Sequence, residues 1–491
     1  MKFDKFIKKN EKVLLLIILF VVFIKIYSFH FNYAFPYHHD EWQHIAISDQ
    51  IIELGYNAPK NPYIVEFVHH KDLEHGFHFF LSNLKLLTNL DLVLSYKLFP
   101  AFFGMLTSFF LFIMVKYITK DVFASLLSTL LYGSLKSNVN ILGIDYFIPL
   151  TLASIFFFFN IYVFIKFLEE EGINNFILML ISFLTTFLIH PPSLVILIFP
   201  FLIYGVIKYK KVIKLNKLYF IFLFLFFLLF FIFSVIFIEL NIKYKFLEEL
   251  LSMFYFGKNW TYVNQTYSII LLYGFIATII GLYGAYISFK KEEVIFLLIL
   301  FISLFITSIF NNFNFSILVP YQRAVHYATF ALLPLTSIGI VAMFKKFKLK
   351  KYDYFKVAFL VFLIFLIFSS KYDINDSKRY YKEPSIDLNS YKALLWVNDN
   401  IEKNKVFMSP FLMTSAIYPI TGNKVVSVAP AQLLGGNYRF NVEFYDSDCN
   451  YKKTILNNVS ANYVLSNFPF ECNFLNIKYR DNYYIYEFQN K

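Results

Sequence analysis

The chain has 491 residues, of which 58% are hydrophobic, 22% aromatic and only 16% charged. Ordinary soluble domains carry about 25% charged residues, so this composition cannot cover a globular surface with polar side chains and points to a protein surrounded by membrane lipids. The formal net charge of +12 comes from lysines gathered in short loops between apolar segments, which reads as membrane topology and excludes nucleic acid as a partner.

In chain order, Lys8, Lys9 and Lys12 precede a first apolar window at 13 to 29. No small-residue cleavage site follows it, so it reads as an anchor and not a cleaved signal. Ten further windows follow at 92 to 118, 122 to 139, 146 to 166, 176 to 190, 193 to 207, 218 to 239, 267 to 289, 294 to 310, 323 to 343 and 354 to 369. Tyr219 to Ile238 is the clearest, because it carries no charge and about 20 apolar residues cross a bilayer. Alternation across these eleven predicted spans brings the clusters Lys208, Lys210, Lys211, Lys214, Lys217 and Lys345, Lys346, Lys348, Lys350, Lys351 to the side of the amino terminus. The positive-inside rule makes that side cytoplasmic. The expected fold is therefore an α-helical polytopic protein of the cell membrane, with 30 to 91, 240 to 266, 311 to 322 and 370 to 491 extracytoplasmic.

Two domains are expected: a multi-pass part, 1 to 370, with a large first outer loop at 30 to 91, and a small extracytoplasmic α/β domain at 371 to 491. The second is predicted from an amphipathic helix at 385 to 405, strand-like runs at 406 to 409, 424 to 428 and 461 to 467, and a hairpin around Asp481-Asn482. Its two cysteines, Cys449 and Cys472, are too few for a thiolate metal site; in an oxidising compartment they are expected to form one disulfide.

The informative stretch is the first outer loop, AFPYHHDEWQHIAISDQIIELG. Asp40 and Glu41 lie within about a dozen residues of the first span, flanked by His38, His39, Trp42, Gln43 and His44. Carboxylates at a membrane interface cost desolvation energy unless they have partners or solvent, which makes the pair a site candidate. The competing reading is a helix amino terminus whose acidic residues complement the helix dipole. Eight of the ten histidines, His69, His70, His75 and His78 among them, fall in this loop or at its margins. No spacing fixes a metal geometry, so a divalent metal is the lesser reading and no cofactor is assigned. Two other outer-edge positions stand out. His190 sits at a turn enforced by Pro191 and Pro192, and Arg323, near Tyr321 and His326, is the only arginine before residue 379. A guanidinium holds phosphate or carboxylate bidentately, which lysine cannot copy.

An anchor followed at once by HHDEWQH, then many apolar helices and a polar carboxy-terminal domain, resembles the GT-C superfamily of integral membrane glycosyltransferases, in particular the lipid-phosphate-mannose-dependent mannosyltransferases and protein O-mannosyltransferases. The resemblance covers the whole layout, and its sharp part is Asp40, Glu41 and the following Trp42-Gln43. His39 stands where many relatives have proline, and the paired-tryptophan signature of oligosaccharyltransferases is absent, the three tryptophans being Trp42, Trp260 and Trp396.

The resemblance implies an inverting transfer of a mannose-like sugar from a polyprenyl or dolichyl phosphate donor to a lipid, glycan or protein acceptor on the extracytoplasmic side. Asp40, or second to it Glu41, would be the general base. Arg323 with His190, His69, His70 and Lys71 would meet the donor phosphate, and His39, Trp42, Gln43 and Tyr321 would complete the substrate site. The alternative is a transporter or flippase of a lipid-linked or anionic solute, which calls for ionisable residues deep in several spans and paired broken helices. Most ionisable residues here sit near span ends, and Lys25, Lys97 and Lys136 lie close enough to the outer edge to snorkel. A purely structural protein would leave the Asp-Glu loop unexplained.

Overall fold

The computed structural model describes residues 2–56, 61–64, 74–137, 141–170, 172–208, 255–256, 272–289, 291, 293–313, 315–346, 385–428 and 438–489, with a few more between 358 and 365. In chain order its main helices are α1 (Lys2–Lys9), α2 (Glu11–Tyr27), α3 (His39–Leu54), α4 (His75–Thr88), α5 (Phe99–Thr119), α6 (Val122–Tyr132), α7 (Pro149–Glu169) and α8 (Ile173–Ile189). They continue with α9 (Pro191–Ile207), α10 (Phe275–Ser288), α11 (Val294–Phe313), α12 (Tyr321–Lys346), α13 (Leu388–Asn400), α14 (Thr414–Thr421), α15 (Tyr438–Asp446) and α16 (Cys449–Asn458). The chain divides into two compact units. One comprises Met1–Phe29, Pro100–Asp145 and Pro149–Tyr372; the other comprises His30–Phe99, Tyr146–Ile148 and Asp373–Lys491.

The first unit is the membrane-spanning one. Among the described residues, the segments Glu11–His30, Leu92–Thr119, Pro149–Glu169, Val294–Phe313 and Tyr321–Lys346 are long and apolar enough to cross a bilayer. Shorter apolar helices stand at α6, α8, α9 and α10. The window expected at 122 to 139 is helical only to Tyr132, where the Gly133 N–H closes on the Leu130 carbonyl and the Ser134 N–H on that of Leu131. The window at 218 to 239 lies outside the described residues, and that at 354 to 369 lies largely outside them.

Helix α12 has 89% of its most apolar window buried, packed against α6, α10 and α11. Helix α10 packs on it through small residues. A Cβ on Gly284 would lie 1.8 Å from the Leu335 carbonyl oxygen, and one on Gly339 would lie 2.4 Å from that of Ile280. Such close backbone approach is how apolar helices associate where no hydrophobic drive separates them from lipid. Elsewhere in the unit, Asn160 of α7 donates to Thr186 of α8 at 2.8 Å and accepts from Ser182, a buried polar tie of the kind that holds helices in lipid.

The second unit contains a five-stranded sheet built from β1 (Val406–Met408), β2 (Lys424–Val425), β3 (Tyr463–Ser466), β4 (Leu475–Arg480) and β5 (Tyr484–Phe488). The strand order is β2-β1-β3-β5-β4. The pairs β1–β2 and β1–β3 are parallel, whereas β3–β5 and the hairpin β4–β5 are antiparallel. The expected helix and strand runs thus all appear, and Cys449 is joined to Cys472 by a disulfide that ties the start of α16 to the chain before β4.

Residues that follow the first apolar helix fold onto this carboxy-terminal sheet domain. The Tyr33 hydroxyl donates to the Ile386 carbonyl at 2.9 Å, and that of Tyr63 donates to the Ser415 carbonyl at 2.8 Å. The Val425 N–H, on the edge strand, donates to the Tyr63 carbonyl at 2.8 Å. Helix α3 packs on α14 within the same unit. Half of this association is a backbone and tyrosine matter, invisible to charge or motif.

Candidate active site

Helix α3 begins at the acidic pair, and its first turn explains why the two carboxylates differ. His38 is the N-cap: its Nδ1 accepts from the Asp40 N–H at 3.2 Å, while the Glu41 carboxylate reaches back to the His38 N–H. This is a capping box with histidine in the place usually held by serine or threonine. At the other end Gly55, with φ 76°, closes the helix in the left-handed conformation glycine adopts without strain.

Glu41 is fully buried. One carboxylate oxygen accepts from the Tyr37 and His38 N–H groups at 2.8 and 3.0 Å, and the other accepts from the Phe147 N–H at 2.8 Å. Burial pushes the carboxyl up from the ordinary 4.5 to about 7, against the three N–H groups that favour its ionised form. With all three donors converging on it, Glu41 is a structural hub for residues 37, 38 and 147.

Asp40 stands one residue earlier and points elsewhere. Its side chain is 36% exposed, and its Oδ2 lies 3.6 Å from His38 Nδ1. Because that nitrogen accepts the Asp40 N–H, the contact is between a carboxylate and a neutral imidazole. Asp40 is therefore the member of the pair that a ligand can reach.

The neighbours flagged by sequence divide in the same way. His39 is buried, with Nδ1 3.3 Å from the Ser415 hydroxyl of α14, and burial lowers it to about 4, so it is neutral at physiological pH. Trp42 is fully buried and donates through Nε1 to the Pro36 carbonyl at 3.1 Å, so it shapes the turn and offers no surface to a ligand. Gln43 is half-buried. His44 and His78 form a buried contact of 2.8 Å between α3 and α4. His69, His70 and Lys71 lie outside the described residues.

Arg323 and His190 belong to the membrane-spanning unit. Arg323 lies in the first turn of α12 and donates through Nη1 to the Ile141 carbonyl, which fixes the orientation of its planar fork. Tyr321 is fully buried and stacks on Phe310 with ring centroids 3.8 Å apart, so its ring belongs to the core and not to a ligand surface. His190 precedes Pro191 at the start of α9, with Nδ1 2.8 Å from the Ser193 hydroxyl, which in turn lies 2.6 Å from that of Tyr327. His190, Ser193 and Tyr327 thus form one hydrogen-bonded run, and Arg323 and His326 stand within the first two turns of the helix that carries Tyr327. Ser193 and Tyr327, which complete it, carry no sequence signal. Among the described residues no group of three or more His, Cys, Asp or Glu side chains is arranged to hold a metal ion.

The fold is thus a unit of apolar helices joined to a second unit that carries an acidic pair shortly after the first apolar helix. The chain is similar to the crystal structure of the Archaeoglobus fulgidus oligosaccharyltransferase, a GT-C superfamily member, tethered to an acceptor peptide containing the NVT sequon. The match covers 94% of this chain and 70% of that one, at 14% identity and a TM-score of 0.58. The apo form of the same enzyme gives 93% and 69%, 14% identity and 0.59, and its complex with zinc and sulfate gives 92% and 68%, 14% identity and 0.56. No family model and no curated protein matches the sequence. At this identity the likeness is one of fold, and the absence of a paired-tryptophan signature in the sequence stands beside it unchanged.

Proposed function

We propose that the protein is an integral membrane glycosyltransferase that moves a mannose-like sugar from a polyprenyl phosphate donor to a lipid, glycan or protein acceptor on the extracytoplasmic side, with inversion at the anomeric carbon. The observation that carries this reading is the split of the acidic pair within a GT-C fold: Glu41 is locked beneath the first turn of α3 and Asp40 is left accessible at its amino end. Asp40 is the general base. Its carboxylate takes the proton of the acceptor hydroxyl as that oxygen bonds to the anomeric carbon and the bond to the lipid phosphate breaks, a contribution of about 10² to 10⁴ in rate. Glu41 positions it by holding the backbone of residues 37 and 38, the His38 imidazole in turn accepting the Asp40 N–H.

The departing phosphate takes up the bonding electrons, and a fixed cation stabilises that charge as it forms. Arg323 is suited to this role because its fork is already oriented by the Ile141 carbonyl, with His190 as a polar neighbour. The amino terminus is cytoplasmic, as the lysine loops require. The oligosaccharyltransferase that this fold resembles was crystallised with an acceptor peptide, which supports a protein acceptor as one of the three classes.

The test uses purified protein in nanodiscs with radiolabelled polyprenyl phosphate mannose or glucose and separate lipid, glycan and peptide acceptors. Transfer to one class, reduced by about two orders of magnitude in Asp40→Asn while donor binding persists, is the expected result. Unchanged transfer in Asp40→Asn would remove Asp40 as the base.

A further inference from the structure

Helix α3 carries a second pair of carboxylates that the reaction does not use. Asp49 and Glu53 lie one turn apart, on one face of the helix, and both line a cavity of about 310 Å³ in the second unit. Its other walls are Lys85 of α4, Asn398 of α13, Lys403, and the last turn of α14 from Tyr418 to Gly422. The volume is at the lower end of the range for small-ligand sites.

The polar groups are cross-braced. Lys85 Nζ lies 2.5 Å from Asp49, Lys403 Nζ lies 3.8 Å from Glu53, and the Tyr418 hydroxyl donates to Glu53 at 3.2 Å. Asp49 is largely buried and held by Lys85, whereas Glu53 and Lys403 are about half and two-thirds exposed and can adjust to a ligand. Two carboxylates and two ammonium groups leave the cavity without net charge. An anion would meet Asp49 and Glu53, and a cation would meet Lys85 and Lys403. A carboxylate only accepts hydrogen bonds and an ammonium only donates them, so a neutral group that both donates and accepts, such as a hydroxyl, satisfies the two at once. Ile52, Pro419 and Ile420 add an apolar side to the same cavity, which suits the C–H face of a sugar ring.

We propose that this cavity binds a neutral saccharide ring. Asp49 and Glu53 lie about 14 and 20 Å along the α3 axis from Asp40, at 1.5 Å per residue. A ring seated there is therefore not the reacting one but another ring of the same chain. Resting on the glycosyltransferase reading, this makes the acceptor an oligosaccharide held at a distance from its reacting end.

The experiment reads binding without donor or turnover, so it stands or fails separately from the catalytic assignment. Full-length protein in nanodiscs is probed by saturation-transfer NMR with neutral oligosaccharides of mannose, glucose, galactose and N-acetylglucosamine, and with glucosamine and glucuronate as charged counterparts. At least one neutral oligosaccharide should bind, more tightly than its monosaccharide. Glu53→Gln should weaken it by about tenfold, as loss of a charge-assisted hydrogen bond does. Asn398→Tyr places bulk at the rim from an exposed helix position and leaves both ion pairs intact; it should block binding with an unchanged melting temperature. The proposal is overturned if no neutral saccharide binds, if the charged sugars bind better, or if Asn398→Tyr binds as the wild type does. Intact binding in a protein that transfers no sugar would instead remove the catalytic reading and leave the cavity assignment in place.

Discussion

Glu41→Ala removes a side chain on which three backbone N–H groups converge. The Phe147 N–H is buried and left without its acceptor, at a cost of about 1 to 3 kcal/mol, while those of Tyr37 and His38 are half-buried and regain water in part. The sum is about 3 kcal/mol, most of it lost from the second unit. The assay is thermal unfolding in detergent, followed by transfer measured at matched folded fraction. Glu41→Gln tests the charge separately. The wild-type carboxyl binds its proton near pH 7 in the folded state and near 4.5 in the unfolded chain, so its stabilising effect is full below about 4.5 and is lost as pH rises through about 7. That change amounts to about 3 kcal/mol. The difference in stability between wild type and Glu41→Gln should therefore drift in this direction between pH 5 and 8, with the amide variant supplying the flat reference. If Glu41→Ala melts with the wild type and yet transfers no sugar, Glu41 is a reacting group and the division of the acidic pair argued here is wrong.

Gly284→Ala should destabilise the membrane-spanning unit by about 1 to 3 kcal/mol or more, since the added Cβ has a backbone carbonyl and not a flexible side chain in its way; thermal unfolding in detergent checks it. Cys449→Ser, or reduction of the disulfide, should cost about 3 kcal/mol in the second unit for a loop closed over 23 positions and should speed proteolysis there. Arg323→Lys keeps the charge but loses the oriented fork, so it should raise the KM for the lipid phosphate donor more than it lowers kcat, whereas Arg323→Ala should depress both. Equal behaviour of the two Arg323 variants would show that charge alone matters there. A reporter at residue 212 and another at residue 440 should label from opposite sides of the membrane if the lysine loops set the topology; labelling from one side would refute it.

Periodicity and composition made the helices of the membrane-spanning unit legible because lipid imposes one rule, a long apolar segment, that survives in any sequence. The carboxy-terminal strands were legible for a related reason: runs such as VFMS and YYIYEF alternate with turn residues, and they fall on β1 and β5. What could not be read was partnership. Tyr33, Tyr63 and Val425 join segments more than three hundred residues apart through carbonyls, and a carbonyl is present at every position. The cavity beneath α3 was hidden for the same reason, since Asp49 and Glu53 look like an ordinary solvated helix face until Lys85 and Lys403 arrive from elsewhere in the chain. Trp42 and Tyr321 carried the opposite signal: aromatic side chains beside polar residues resemble a ligand surface, yet both are buried as packing.

The acidic pair shows why adjacency in sequence is a poor guide to shared chemistry. Successive residues on a helix point about a hundred degrees apart, so adjacent carboxylates in one first turn have different surroundings. Here Glu41 turns inward and Asp40 toward solvent. Glu is longer than Asp by one methylene, and at the third helical position that reach lets it fold back to the N-cap backbone. Asp at the preceding position is too short to compete for the same N–H groups and stays at the surface. The order Asp-Glu therefore carries the division of labour, and the reversed pair would not reproduce it. Asp40→Glu with Glu41→Asp, made together, keeps composition and charge but should leave the Phe147 N–H without its acceptor and lose stability and transfer at once. Wild-type behaviour of that swapped protein would mean that the pair acts as an undifferentiated acidic patch.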